Sequence, residues 1–229
     1  MKIAVIGKIK KNREILKTTI SKCGYKVTEK DPDYVIALGG DGSLLMSECI
    51  YPSIPKLHII HRTKWNGKDD KNIKRVMEKI AKKEFRIIRH PKLEASIKRE
   101  NTIIKRIAAN DISIRNEEPW HALRFNLKIN NKNKGDFIGD GIVASTPFGS
   151  TGYFYSITKK KFKSGIGLAF NNPTTKIKPI IKKDQVIKLT VTRNKAIISS
   201  DNNMNTVTIK EGDSVVIKQG KDKFNLIKV

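Results

Sequence analysis

Residues 34–43 read YVIALGGDGS. Five apolar or aromatic residues run without a polar break, and two glycines, an acid, a third glycine and a serine follow. An unbroken apolar run of this length suits a strand buried on both faces of a parallel sheet. Residues 44–50 (LLMSECI) then have helical character. A strand that passes through glycines into a helix is where open α/β sheets bind their ligands. Gly39, Gly40 and Gly42 let the backbone approach a phosphate or a sugar closely. The start of the helix offers unpaired N–H groups to an anion. Asp41 is the informative residue, because a carboxylate repels a bare phosphate. Its presence suits acceptance of a proton from a substrate hydroxyl, or a divalent cation held against a phosphate. The plainer alternative is a tight strand–helix turn with Asp41 as a capping side chain, although a cap does not need the glycine doublet.

The flanking sequence supports the same architecture. Residues 2–6 (KIAVI) and 56–60 (KLHII) read as strands, and residues 10–22 have helix-compatible spacing. In residues 69–83, Ile73, Val76, Met77 and Ile80 fall on one helical face. That segment begins with Asp69 and Asp70 and ends with Lys79, Lys82 and Lys83, which complements a helix dipole. Alternation of strand and helix predicts a Rossmann-like α/β domain with a parallel sheet over residues 1–88. Beyond residue 88 the apolar segments become short and β-rich. The last 45 residues read as a meander of VIKLTVT, KAIISSD, TVTIKEGD, SVVIKQG and FNLIKV. Residues 89–229 are therefore expected to form a β-sandwich-type domain.

Charge and composition narrow the function. The 229 residues carry 47 lysines and arginines against 22 acids, a net +25, so an anionic partner or substrate is expected. Nucleic acid, an acidic membrane surface, nucleotides and polyphosphate all qualify. The basic residues are scattered, with residues 159–163 (KKKFK) the one compact exception, and no groove-reading helix or stacking sheet is evident. Specific nucleic-acid binding is therefore not expected. No run approaches the 18 apolar residues of a membrane span, and residues 1–6 read as a strand rather than a leader. Cys23 and Cys49 are the only cysteines, which suits the reducing cytoplasm. His58, His61, His90 and His121 lack zinc-ligand spacing, so no metal site built from protein nitrogen and sulfur is expected.

Two further segments carry polar chemistry. Residues 139–153 read GDGIVASTPFGSTGY: an apolar strand at 142–144 leads into a loop dense in hydroxyls and glycines. Such a loop suits a ribose or a phosphate, and Tyr153 could stack on a base. A Ser/Thr-rich turn between strands is the alternative. Between the two loops lies Asn110-Asp111, where an amide beside a carboxylate can read hydroxyls and a base edge together.

In this order, GGDGS, Asn-Asp and GDGIVASTPFGSTGY resemble the three hallmark motifs of the NAD kinase family. The third is the specific one, since GGDG is shared with phosphofructokinases and lipid kinases. The resemblance implies a two-domain enzyme, its β-rich domain binding NAD, that phosphorylates the 2′-hydroxyl of the adenosine ribose of NAD to give NADP. It implies ATP or inorganic polyphosphate as donor, with Mg²⁺ or another divalent cation. It implies a homo-oligomer, dimer or tetramer, whose subunit contacts could complete the site. Asp41 matches the catalytic acid–base residue, with Gly39, Gly40 and Gly42 around it. Asn110 and Asp111 match the Asn-Glu pair that contacts the dinucleotide. Asp140, Ser150, Thr151, Gly152, Tyr153 and Ser156 match the remaining NAD contacts. The chain departs from the family pattern at several places, and Asp111 is one methylene shorter than the usual glutamate. Residues 58–70 (HIIHRTKWNGKDD) replace a glycine-rich stretch, with Trp65 a candidate to fill the nucleotide pocket. Residues 157–161 (ITKKK) replace S-A-G-G-P-I. Phe148 and Gly152 stand for threonine and alanine. Asn172-Pro173 stands where the family has Pro-His. These changes leave open a nucleotide binder of the same fold with lost or altered activity. GGDGS alone also allows a kinase for a sugar or lipid hydroxyl.

Overall fold

The apolar run at residues 34–38 is strand β3 in the computed structural model, which describes residues 1–61 and 65–229. Residues 62–64 of the divergent 58–70 segment lie outside the described residues. The chain divides into two compact units, one of Met1–His90 with Phe224–Val229 and one of Pro91–Lys223. In the first unit β1 (Lys2–Gly7), β2 (Lys26–Val27), β3 (Tyr34–Leu38) and β4 (Lys56–Ile59) alternate with α1 (Lys10–Lys22), α2 (Asp41–Ile50) and α3 (Gly67–Ala81). The strands lie in the order β2-β1-β3-β4 and every pairing is parallel, as the alternation predicts. The chain's last residues add a parallel neighbour to β4, with Leu226 opposite Lys56 and Ile227 opposite Leu57. The predicted apolar face of α3 is real: Ile73, Met77 and Ile80 are buried against Ile3, Ile20 and Ile36, with Val76 beside them.

Two boundaries differ from the sequence expectation. Helix α3 starts at Gly67, because Asn66 accepts from Lys68 N and Asp69 reaches back to Asn66 N, a capping box. Helix α2 starts at Asp41 and not Leu44, so the acid of the glycine loop already belongs to the first turn. Ser43 N and Leu44 N bond back to Gly40 O, which closes that turn.

The second unit holds β5 (Arg86–Arg99) from Pro91 onward, β6 (Thr102–Ala108), β7 (Asp111–Asn116), β8 (Leu123–Ile129), β9 (Lys132–Gly139), β10 (Gly141–Ser145), a 3-10 turn (Gly149–Thr151) and α4 (Tyr153–Thr158). It continues with β11 (Ile166–Asn171), β12 (Ile180–Lys182), β13 (Ile187–Arg193), β14 (Ala196–Ser200), β15 (Val207–Ile209) and β16 (Ser214–Lys228) up to Lys223. Six strands form one sheet in the order β12-β11-β10-β7-β14-β15, and β9, β8, β13, β16, β5 and β6 form the facing layer. Alternate residues of both layers make a single core, including Ile112, Ile114, Ile142 and Leu168 from one and Ile97, Phe125, Leu189 and Val215 from the other. This is the expected sandwich. SVVIKQG and FNLIKV read as two strands in sequence but form one 15-residue strand, β16, that runs through Gly220 without a turn.

Candidate functional site

The glycine loop of the first unit is held from two directions. Gly39 takes φ +129°, and a Cβ there would stand 2.7 Å from Ser43 Oγ, so glycine is required. Gly39 N donates to Ile59 O at 2.9 Å, and His58 Nε2 lies 2.9 Å from Gly39 O. His58 thereby braces the loop from β4. Gly40 is the extended N-cap residue before α2 and has no side chain to cap it. Asp41 is the first helical residue. Its exposed carboxylate stands in the first turn of α2, where the helix dipole favours negative charge, with half-buried Gly42 next to it.

In the second unit Asn110 and Asp111 open β7, and Asp111 pairs with Ser145 at the end of β10. The hydroxyl-rich loop folds back onto them. Thr146 Oγ1 donates to Ala109 O at 2.6 Å, Thr146 N to Asn110 O at 2.8 Å, and Gly149 N to Thr146 Oγ1 at 3.0 Å. A Cβ on Gly149 would lie 2.2 Å from Asn110 O, so only glycine permits this approach. Gly152 sits beside the Asn110 side chain, its added Cβ 3.7 Å from Nδ2. Among the described residues, the buried Asn110 Oδ1 has no hydrogen-bond partner. Thr151, Gly152 and Ser156 are exposed and Tyr153 is half-buried at the start of α4. The buried Ser150 hydroxyl donates to Pro147 O at 2.7 Å and accepts from Phe162 N at 3.4 Å, so it shapes the loop.

Asp201 is the residue that motif reading misses. Its Oδ2 accepts from Ala109 N at 2.7 Å, and its Oδ1 accepts from Asn110 N at 2.7 Å and Asp111 N at 3.2 Å. Its only local signal is a polar SSDNN run that reads as a turn, and its partners lie about ninety residues away. Burial, with the Asp201 charge adding to it, pushes the Asp111 carboxyl up to about 7. Burial also pushes Asp201 up, while the three backbone N–H groups and Lys92 favour its charged form. The three backbone donors favour the charged form of Asp201, and Asp111 beside it is the carboxyl pushed to about 7.

Asp140 is not brought to this cluster. It precedes β10, where Gly141 pairs with Arg115, while Ser145 at the other end pairs with Asp111. Four strand steps separate those ends by about 13 Å. Asp140 Oδ2 instead accepts from Asn172 Nδ2 at 3.3 Å. Trp65 packs on the core of the first unit and its Nε1 donates to Asp70 Oδ1 at 3.1 Å. Lys159, Lys160, Lys161 and Lys163 are exposed, and the Lys159 and Lys161 ammoniums stand 5.8 and 5.1 Å from the Tyr155 ring. Among the described residues no three His, Cys, Asp or Glu side chains group to hold a metal, and no helix is long and apolar enough to cross a membrane.

Residues 109–229 match the ATP-NAD kinase C-terminal domain family. An NAD kinase of Sulfurisphaera tokodaii is 32% identical over 226 residues, covering 93% of this chain and 88% of that protein. NAD kinase 1 of Oceanobacillus iheyensis is 29% identical over 157 residues, covering 62% of this chain and 56% of that protein. Among solved structures, yeast NADH kinase complexed with NADH covers the whole chain with a TM-score of 0.84 at 16% identity, this chain spanning 83% of it. An Archaeoglobus fulgidus NAD kinase in complex with ATP covers the whole chain with a TM-score of 0.79 at 18% identity, this chain spanning 94% of it. At those identities the two structures show the shared fold.

Proposed function

We propose a division of labour among residues on the premise that the chain belongs to the NAD kinase family, so that its reaction is phosphoryl transfer to NAD. The acceptor is the 2′-hydroxyl of the adenosine ribose and the product is NADP. The observation that carries the assignment is the buried, unpartnered Asn110 Oδ1 beside Asp111 and the exposed rim of Thr151 and Gly152. That acceptor, with a carboxyl that titrates near neutrality, suits hydroxyl donors of a nucleoside. Tyr153 offers a ring for a base and Ser156 a further hydroxyl, while Ser150 holds the loop in shape.

Asp41 takes the ribose proton. As the ribose oxygen forms its bond to the terminal phosphorus of the donor, the bond from phosphorus to the leaving oxygen breaks. The leaving group is ADP when ATP is the donor, or a shortened chain when inorganic polyphosphate is. Mg²⁺ or another divalent cation suits this chemistry, since such an ion binds through donor phosphates and one or two carboxylates, and Asp41 is an exposed carboxylate on the glycine loop. The ion neutralises phosphate charge when bound. The net charge of +25 favours either polyanionic donor. The free thiols of Cys23 and Cys49 suit a cytoplasmic setting.

The test is an end-point assay for NADP with NAD and Mg²⁺, run with ATP, with polyphosphate and without donor. Product is expected with at least one donor. Asp41→Asn should lower kcat by about a hundredfold or more, the scale of a lost general base, with the unfolding midpoint unchanged. Near wild-type turnover in Asp41→Asn would remove Asp41 from the mechanism.

A further inference from the structure

The backbone of residues 109–111 is held on every polar edge. Thr146 takes the carbonyls of Ala109 and Asn110. The three N–H groups all go to one carboxylate, that of Asp201, and Asp201 N returns a bond to Asp111 O at 3.0 Å. Asp201 itself follows β14 at φ +49°, a conformation that costs a non-glycine residue free energy unless its surroundings hold it there. A carboxylate suits this place because it can accept three bonds at once, and each N–H would otherwise be left unsatisfied as burial removes water.

We propose that Asp201 is a positioning residue for NAD binding. It fixes the backbone of residues 109–111, and so the directions of the Asn110 amide and the Asp111 carboxyl that meet the nucleotide. The inference rests on the assignment of those two side chains to NAD. Asp201 touches no substrate in this scheme. Its contribution is preorganisation, since a loop that must be ordered on binding loses affinity for its ligand. Thr146 belongs to the third motif, so that motif and Asp201 grip the same three residues from opposite sides.

The experiment uses the full chain and the variants Asp201→Asn and Asp201→Glu. An amide keeps the size but turns a donor toward at least one backbone N–H. A glutamate keeps the charge one methylene too far. For Asp201→Asn the Kd of NAD, measured by titration calorimetry without turnover, should rise about tenfold or more, the scale of one lost charge-assisted hydrogen bond. The KM of NAD should rise with it, while kcat and the KM of the phosphoryl donor stay within about threefold, the ordinary context scatter of a distant change. Amides of residues 109–111 should exchange with solvent faster than in wild type, and other strand amides should not. Asp201→Glu should lie between the two, and it replaces the asparagine variant if that one does not fold. An unchanged Kd, or kcat and thermal midpoint falling together at constant KM, would overturn the proposal. If the wild-type protein binds no NAD, the assignment of Asn110 and Asp111 fails. The exchange data then still report whether Asp201 fixes the segment.

Discussion

Asp111 shows how a residue's function depends on where the fold puts it. In sequence it is the acid of a two-residue pair that is ordinarily a turn. In the fold its carboxyl is buried beside a second carboxylate and rises from 3.8 to about 7. A folded-state value above the unfolded one means the native protein keeps a proton that the unfolded chain has lost. Between about pH 4 and pH 7 that difference makes stability fall as pH rises, and the contribution is complete only below the unfolded value. Asp201 acts in the same direction, so the wild-type slope is the sum of both. Urea unfolding across this window should therefore show a midpoint that drops toward neutrality, and Asp111→Asn should flatten the drop. A wild-type midpoint that rises from pH 5 to pH 7 would contradict the burial seen here. The type and place of Asp111 were legible from the motif. Its protonation was not, because the burial that raises it is made by the fold, and the charge that adds to it sits on a residue ninety positions later.

At the scale of elements, a buried ion pair ties helix α2 to its sheet. Lys56 on β4 is fully buried, and its ammonium meets the carboxylate of Glu48 on α2, which is 5% exposed. Lys56 Nζ also donates to Tyr51 O, and Glu48 Oε1 accepts from Ser53 N at 3.0 Å. Removing one partner leaves the other charge buried. Lys56→Met or Glu48→Gln alone should cost about 3–5 kcal/mol of unfolding free energy, and the double variant should recover much of it. Denaturation of the two single variants and the double variant measures this coupling directly. Additive losses would mean that the pair does not act as a unit. Because α2 begins at Asp41, activity should fall in step with folding in the single variants. Unbroken apolar runs and the 3.6-residue period of α3 made β3 and α3 legible from sequence. Lys56 was read only as the first residue of a strand, since no local pattern marks a lysine whose partner is a neighbouring helix. Helix α4 was hidden for a related reason: YFYSIT has aromatic and β-branched residues, and its fold rests on Phe154 packing against Phe162, Val143 and Ala169. Strands β9 and β11 carry glycine and asparagine that read as punctuation.

At the scale of the whole molecule, the second unit poses a problem that its own residues leave open. Gly149 and Gly152 of the third segment meet Asn110 near the Ser145 end of β10, and Asp140 lies at the other end, bonded to Asn172. A single NAD gripped by Asn110 reaches Asp140 of the same chain only by spanning that strand. A second copy of the chain can instead bring its own Asp140 to the nucleotide, which is the use of a homo-oligomer that the family resemblance implies. The expected outcome is a dimer or tetramer in sedimentation at assay concentrations, and a loss of NAD affinity in Asp140→Asn that leaves the unfolding midpoint near wild type. Complementation separates this from a local role. Asp41→Asn and Asp140→Asn should each be weak alone. Mixed and re-associated, they should form hetero-oligomers in which some sites draw a sound Asp41 from one chain and a sound Asp140 from the other. Activity above the mean of the two parents would require that exchange. Activity that never exceeds it, in a mixture shown to have exchanged subunits, would place Asp140 in the service of its own chain. Its motif position would then reflect the turn it makes with Asn172.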